Sequence, residues 1–283
     1  MNRLATSWEL VKASAAVLAA DKELLIFPIV SAIGTLLVTL TFAVPTILAG
    51  VFDSASTSSG DISLSGIVIA FLFYLTQYFV IFFANSALVG AALIRLGGGD
   101  PTVGDGFRIA FKHIGAIFGY ALISATVGMI LRSISERGGF IGQIVSSLLG
   151  LAWNVATYLV VPILVAEDLG PLDAIKRSTE YLKRTWGEQI GGKVGVGTVF
   201  GLAIFAVAVL GIVVFTAVAA TKSFLLMGMV IFVFVMLALV LALVSSALSG
   251  IYSAAVYRYA AEGKLSEHFS RELVTEAFHS KSA

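Results

Sequence analysis

Six long apolar runs with no charge inside them set the limits on how this chain folds. They are Leu24–Gly50, Gly66–Leu93, Ile114–Leu131, Phe140–Ala166, Val194–Ala220 and Phe224–Tyr257. A helix crossing the hydrocarbon core of a bilayer needs about 20 apolar residues. In that medium every backbone polar group must be satisfied within the protein. The remaining composition agrees: 58% of the 283 residues are hydrophobic and 12% are charged, against about 25% charged in a soluble domain. Charge this sparse cannot coat a water-exposed surface. The expected fold is all-α and polytopic, one transmembrane domain over residues 1–283 whose six spans form three hairpins.

Lys and Arg orient the spans. Of eighteen such residues, only Arg132, Arg137 and Lys222 fall outside if the N-terminus is inside. The positive-inside rule then predicts cytoplasmic N- and C-termini, with a C-terminal tail over 262–283. The opening residues carry Glu9, Asp21 and Glu23 ahead of a run too long for a signal-peptide core, so the first run is expected to stay as a span. The loop 51–65 is Ser-rich and has no Lys or Arg. Loop Thr221–Ser223 is short enough to make the last two spans a tight hairpin.

A short amphipathic segment precedes each odd-numbered span, at about 5–20, 103–113 and 171–188. Their apolar faces are read as Trp8, Val11, Ala15 and Leu18; as Phe107, Ala110 and Phe111; and as Leu172, Ile175, Thr179, Leu182 and Trp186. The unit of interfacial helix plus hairpin occurs three times, which suits either an internal duplication or connectors lying in the headgroup region. In the third segment Lys176, Arg177, Lys183 and Arg184 form a basic face suited to anionic lipid headgroups.

Catalytic chemistry has little to build on. The spans hold no carboxylate, imidazole or basic residue for a proton relay or ion-coupled site. His113, His268 and His279 lack metal-ligand spacing, and no cofactor or metal is expected. There is no Cys, hence no disulfide or thiolate site. The net charge of +1 gives no electrostatic case for nucleic acid. Gly97–Asp100 matches the GxGD pattern of intramembrane aspartyl proteases, but no span supplies the second Asp, so it reads as a turn.

The polar groups at depth are Gln77, Asn85, Gln143 and Asn154. Each amide in hydrocarbon needs a partner, on another helix or in a water-filled path. Asn154, Tyr158 and Pro162 follow i, i+4, i+8 and would share one face of a continuous fourth span, with Gln77 or Asn85 as partners for Asn154. Pro162 and Pro45 should bend or loosen their helices. Small-residue stripes (Gly191/Gly195, Gly197/Gly201, Ser245/Ser249/Ser253 and Ser246/Gly250/Ala254) suggest close packing of span five on span six.

The arrangement Trp153–Asn154, Pro162, Glu167, Arg177–Ser178 and Trp186–Gly187, with Ser7–Trp8, Asp21–Lys22 and Phe27–Pro28 near the start, resembles a widespread prokaryotic family of six-span integral membrane proteins of unknown function. The resemblance implies a prokaryotic cytoplasmic membrane and transfers no catalytic residue. The expected function is non-enzymatic: a passive channel or solute path, as a homo-oligomer. The alternatives are a lipid-binding or scaffolding protein acting through its basic helices, and a membrane enzyme acting on lipid.

Overall fold

The computed structural model describes residues 3–48, 64–186 and 196–263. The loop stretch 51–63, Gly191, Lys193, Gly195 and the tail 264–283 lie outside the described residues. Every regular element among the described residues is a helix: α1 (Arg3–Ala20), a 3-10 turn (Lys22–Leu25), α2 (Ile26–Leu48), α3 (Leu64–Leu96), α4 (Val103–Lys112), α5 (Ile114–Arg137), α6 (Gly139–Ala156), α7 (Val160–Ala166), α8 (Pro171–Trp186), α9 (Val196–Ala219) and α10 (Phe224–Glu262). Six segments are long and apolar enough to cross a membrane: α2 with its leading turn, α3, α5, α6 with α7, α9 and α10.

The bundle is packed at one end and open at the other. Buried side chains come from α1 (Leu10, Val17), the start of α2 (Leu24, Phe27), the last third of α3 (Leu88, Ala92), α7 (Ile163, Leu164), α8 (Ala174, Leu182) and the last part of α10 (Leu248, Ile251). The opposite halves of α2 and α10 leave Leu36, Leu40, Phe232 and Val240 exposed, a surface that suits acyl chains as its solvent. The packed end, where Arg95 and Arg258 sit, is called the basic end below.

The short helices belong to this core. Helix α4 starts with a capping box: Thr102 Oγ1 accepts from Asp105 N at 3.2 Å, and the Asp105 carboxylate accepts from Thr102 N at 3.0 Å. It then presses on α3 at two glycines. A Cβ on Gly106 would lie 2.7 Å from the Ala87 carbonyl, and one on Gly90 would lie 2.9 Å from Ile109. Gly97–Asp100 is the turn after α3, with Gly98 at φ +88 and Arg95 paired to Asp100 at 3.0 Å.

The buried faces of α1 and α8 are rotated from those read in the sequence. On α8 the buried residues are Ala174, Ser178, Tyr181 and Leu182, while Leu172 is 62% exposed. On α1 they are Leu10, Val11, Ser14, Val17 and Leu18, while Trp8 is 51% exposed. Ser14 on α1 and Ala174 and Ser178 on α8 are the small residues of these faces, where they let backbones approach closely.

The fourth span is not one helix. Thr157–Leu159 forms a turn between α6 and α7, centred on Tyr158, four residues before Pro162. Proline has no N–H and its ring collides with the carbonyl of residue i−4, here Tyr158. The face shared by Asn154, Tyr158 and Pro162 in a continuous helix is therefore broken up: Asn154 is exposed, Tyr158 half-buried and Pro162 buried.

Candidate functional site

A cavity of 310 Å³ lies where α2, α3 and α10 meet the break in span four. Its polar lining is Ser31, Asn85, Tyr158, Ser246, Ser249 and Ser253; its apolar lining is Phe27, Pro28, Ile81, Ala84, Leu88 and Gly250. None of these side chains carries a charge. At 1.5 Å rise per residue, Ser31, Asn85 and Ser249 each sit roughly 14–15 Å along their helix from Lys22, Arg95 and Arg258. Three helices thus set the cavity lining at a common level, inward of the basic end.

Gly250 makes the cavity's close wall. A Cβ there would lie 2.5 Å from Leu88 Cδ2 and 3.3 Å from Asn85 Oδ1. The small-residue stripe of α10 therefore meets α3, not the fifth span as its spacing suggested. Helices α9 and α10 meet elsewhere, with Gly211 against Phe234, while a Cβ on Gly201 would face open space.

The backbone groups freed by the break are taken up by two serines. Leu159 N donates to Ser178 Oγ at 3.1 Å, and Ser253 Oγ donates to the Tyr158 carbonyl at 3.5 Å. Ser178 is fully buried. At the far end of α7, Glu167 Oε1 accepts from Tyr181 at 2.7 Å and Tyr257 at 3.1 Å, and Oε2 accepts from Arg177 Nε at 3.1 Å. Burial first, and then the Glu167 carboxylate, raise the Tyr181 phenol above its ordinary value, which keeps it a donor. Helix α8 thus holds α7 at both ends.

Arginines close the basic end by capping helix C-termini, whose last carbonyls lack intrahelical donors. Arg95 of α3 donates to Ala20 O of α1 at 3.2 Å, and Arg184 of α8 donates to Ala260 O of α10 at 2.7 Å. Arg258 of α10 donates to Leu96 O of α3. His113, buried at the α4–α5 corner, meets Asp168 at the α7–α8 corner at 3.2 Å. Burial lowers its imidazole below the ordinary value, and Asp168 partly opposes this.

Of the residues nominated from sequence, Asn85 and Tyr158 line the cavity, and Pro162 is buried within α7. Gln77 does bond across helices, but to Thr39 of α2, Nε2 to Oγ1 at 3.1 Å. Gln143 and Asn154 are exposed on α6 and do not line the cavity. Arg177 and Arg184 are engaged within the protein, and Lys176 pairs with Asp173 at 3.4 Å. Ser31 and Ser178 were not nominated; a lone serine carries no signal until its neighbours are known.

Fold and site define a class: an all-helical membrane protein with six helices long and apolar enough to span a bilayer, and a neutral polar cavity among them. Within that class the chain belongs to a Family of unknown function (DUF6159), whose profile matches residues 64–267 and so takes in the cavity walls from α3 and α10. No curated protein and no solved structure matches the chain.

Proposed function

We propose that the chain is a non-enzymatic membrane protein that provides a passive path for small uncharged polar molecules, with the cavity at the break in span four as its binding point. The carrying observation is the cavity lining: hydroxyls and one amide, without charge, at the break in span four. Sites of this kind, mostly apolar with a few convergent polar groups, suit small-molecule binding. Irregular backbone at membrane depth is tolerated where it lines a cavity. The packed basic end makes this the closed form, and the Gly250–Leu88 contact is where α10 would part from α3. An enzyme acting on lipid has less support, since the cavity lining offers no carboxylate, amine or imidazole.

The basic end is assigned to the cytoplasmic side of a prokaryotic inner membrane. The three hairpins stand on interfacial helices α1, α4 and α8, which expose the large apolar side chains Trp8, Phe111 and Leu172. These would dip into the bilayer while Lys176 and Lys183 meet anionic headgroups. That supports a second reading, lipid binding or scaffolding, in which the two lysines do the work because Arg177 and Arg184 bond within the protein. A homo-oligomer is the assembly we expect, and cross-linking in native membranes tests it. A single Cys at Lys183, an exposed site, tests orientation: an impermeant reagent should leave it unlabelled in intact cells.

The functional test is permeability. Proteoliposomes should admit glycerol or urea faster than protein-free liposomes and exclude Na⁺, and Ser249→Leu with Ser253→Leu should return the rate to background. No permeability above protein-free liposomes would overturn the reading.

A further inference from the structure

We infer that the cavity is reached sideways from the bilayer and takes the uncharged, hydroxyl-bearing head of an amphiphile of the monoacylglycerol kind. This rests on the reading of the cavity as the binding point.

Closure comes first. Toward the basic end, Ala91 and Ala92 after Leu88 on α3 and Val256 after Ser253 on α10 are buried, and Leu24, three residues before Phe27 and on its face, is buried too. The occupant therefore does not come from that end. The mouth lies on the other side. Ser246 is exposed there, Ile81 is 39% exposed, and Ser31 and Asn85 are half-buried. Ile81, an apolar residue of the lining, gives the mouth its outer edge, and the open halves of α2 and α10 beyond it are apolar and exposed, as at Leu36 and Val240. A molecule resting in the mouth thus meets hydroxyls within and an apolar rim without.

Chemistry then selects the head. Donors and acceptors are present as serine hydroxyls and the Asn85 amide, with no charged side chain in the lining. A charged head would lose hydration there and gain no counter-charge. A volume of 310 Å³ is on the order of ten water volumes, enough for a glycerol head and the first carbons of its chain. A free polyol would match the hydroxyls but leave the apolar rim uncovered, so the amphiphile is the better fit.

The test uses the purified full-length chain in detergent and tritiated monooleoylglycerol. Binding should saturate and be displaced by unlabelled monooleoylglycerol, but not by glycerol, oleate or oleylamine at equal concentration. Ser249→Leu fills the cavity and should weaken binding at least tenfold. Ser246→Leu, at an exposed mouth position with little bearing on folding, should also weaken it, whereas Ser147→Leu on the exposed face of α6 should not. Equal displacement by glycerol would overturn the lateral route and leave a water-soluble occupant. Equal displacement by oleate or oleylamine would show tail recognition only and overturn the assigned head. Absence of saturable binding overturns the inference whatever the solute permeability, which tests the passive path independently.

Discussion

Ser178→Ala is the sharpest probe of the break in span four. The substitution removes one hydroxyl from a fully buried position and leaves the Leu159 N–H without the acceptor now 3.1 Å away. In a regular helix that N–H would reach the Val155 carbonyl, but Tyr158 N already donates there at 3.2 Å. A buried donor left unmade costs about 1–3 kcal/mol. Averages for single polar contacts in membrane proteins are lower, about 0.6 kcal/mol, because most such groups find substitutes. Here the enclosing residues Leu159 and Val160 are fully buried, so water is excluded and the upper range applies. An expected loss of about 1–3 kcal/mol is roughly a 5- to 150-fold change in the unfolding equilibrium. SDS titration in mixed micelles, followed by tryptophan fluorescence, measures it. Ser253→Ala should cost less, since it removes a longer bond to a carbonyl. A loss below about 0.5 kcal/mol for Ser178→Ala, the range of ordinary surface changes, would refute the capping argument.

Three further outcomes are expected. Gly106→Ala places a methyl against the Ala87 carbonyl and Phe27 and should destabilise by about 1–3 kcal/mol, whereas Gly201→Ala, facing open space, should stabilise by up to about 1 kcal/mol; thermal unfolding in detergent compares them. His113 is held below its unfolded value of 6.5 by burial, with Asp168 opposing and Lys112 assisting. Stability should therefore be complete above about pH 6.5 and fall as pH drops through the lower folded value, and His113→Asn should flatten the melting temperature between pH 5 and 7. Replacing Lys176 and Lys183 by Gln should weaken association with anionic vesicles at low salt and leave stability unchanged, while Arg184→Gln should cost about 1 kcal/mol by uncapping α10.

The six spans were legible because their signal is local: long runs without charge need no knowledge of neighbours. The break was legible only in part. Pro162 marks a missing bond, but whether a helix bends or stops depends on where its freed groups go, and Ser178 and Ser253 lie 19 and 95 residues from their partners. The cavity was hidden for a related reason. Ser249 and Ser253 belong to one packing stripe and Ser246 and Gly250 to its neighbour; the second packs Gly250 on Leu88, and both line the space beside it. Arg177 and Arg184 read as lipid-facing because their helix is basic on one side; the acceptors that claim them, Glu167 and Ala260, belong to other elements.

The central claim is a hydrated polar cavity at the break in span four, and thiol chemistry tests it directly because the chain has no cysteine of its own. A maleimide reacts with the thiolate, which forms in a hydrated polar site and not in hydrocarbon. Single cysteines at Ser249, in the cavity, and at Val240, 51% exposed on the apolar surface of the same helix, place the two environments side by side. In lipid bilayers Ser249→Cys should react with a small membrane-permeant maleimide at least tenfold faster than Val240→Cys. Equal inertness of the two would contradict the account.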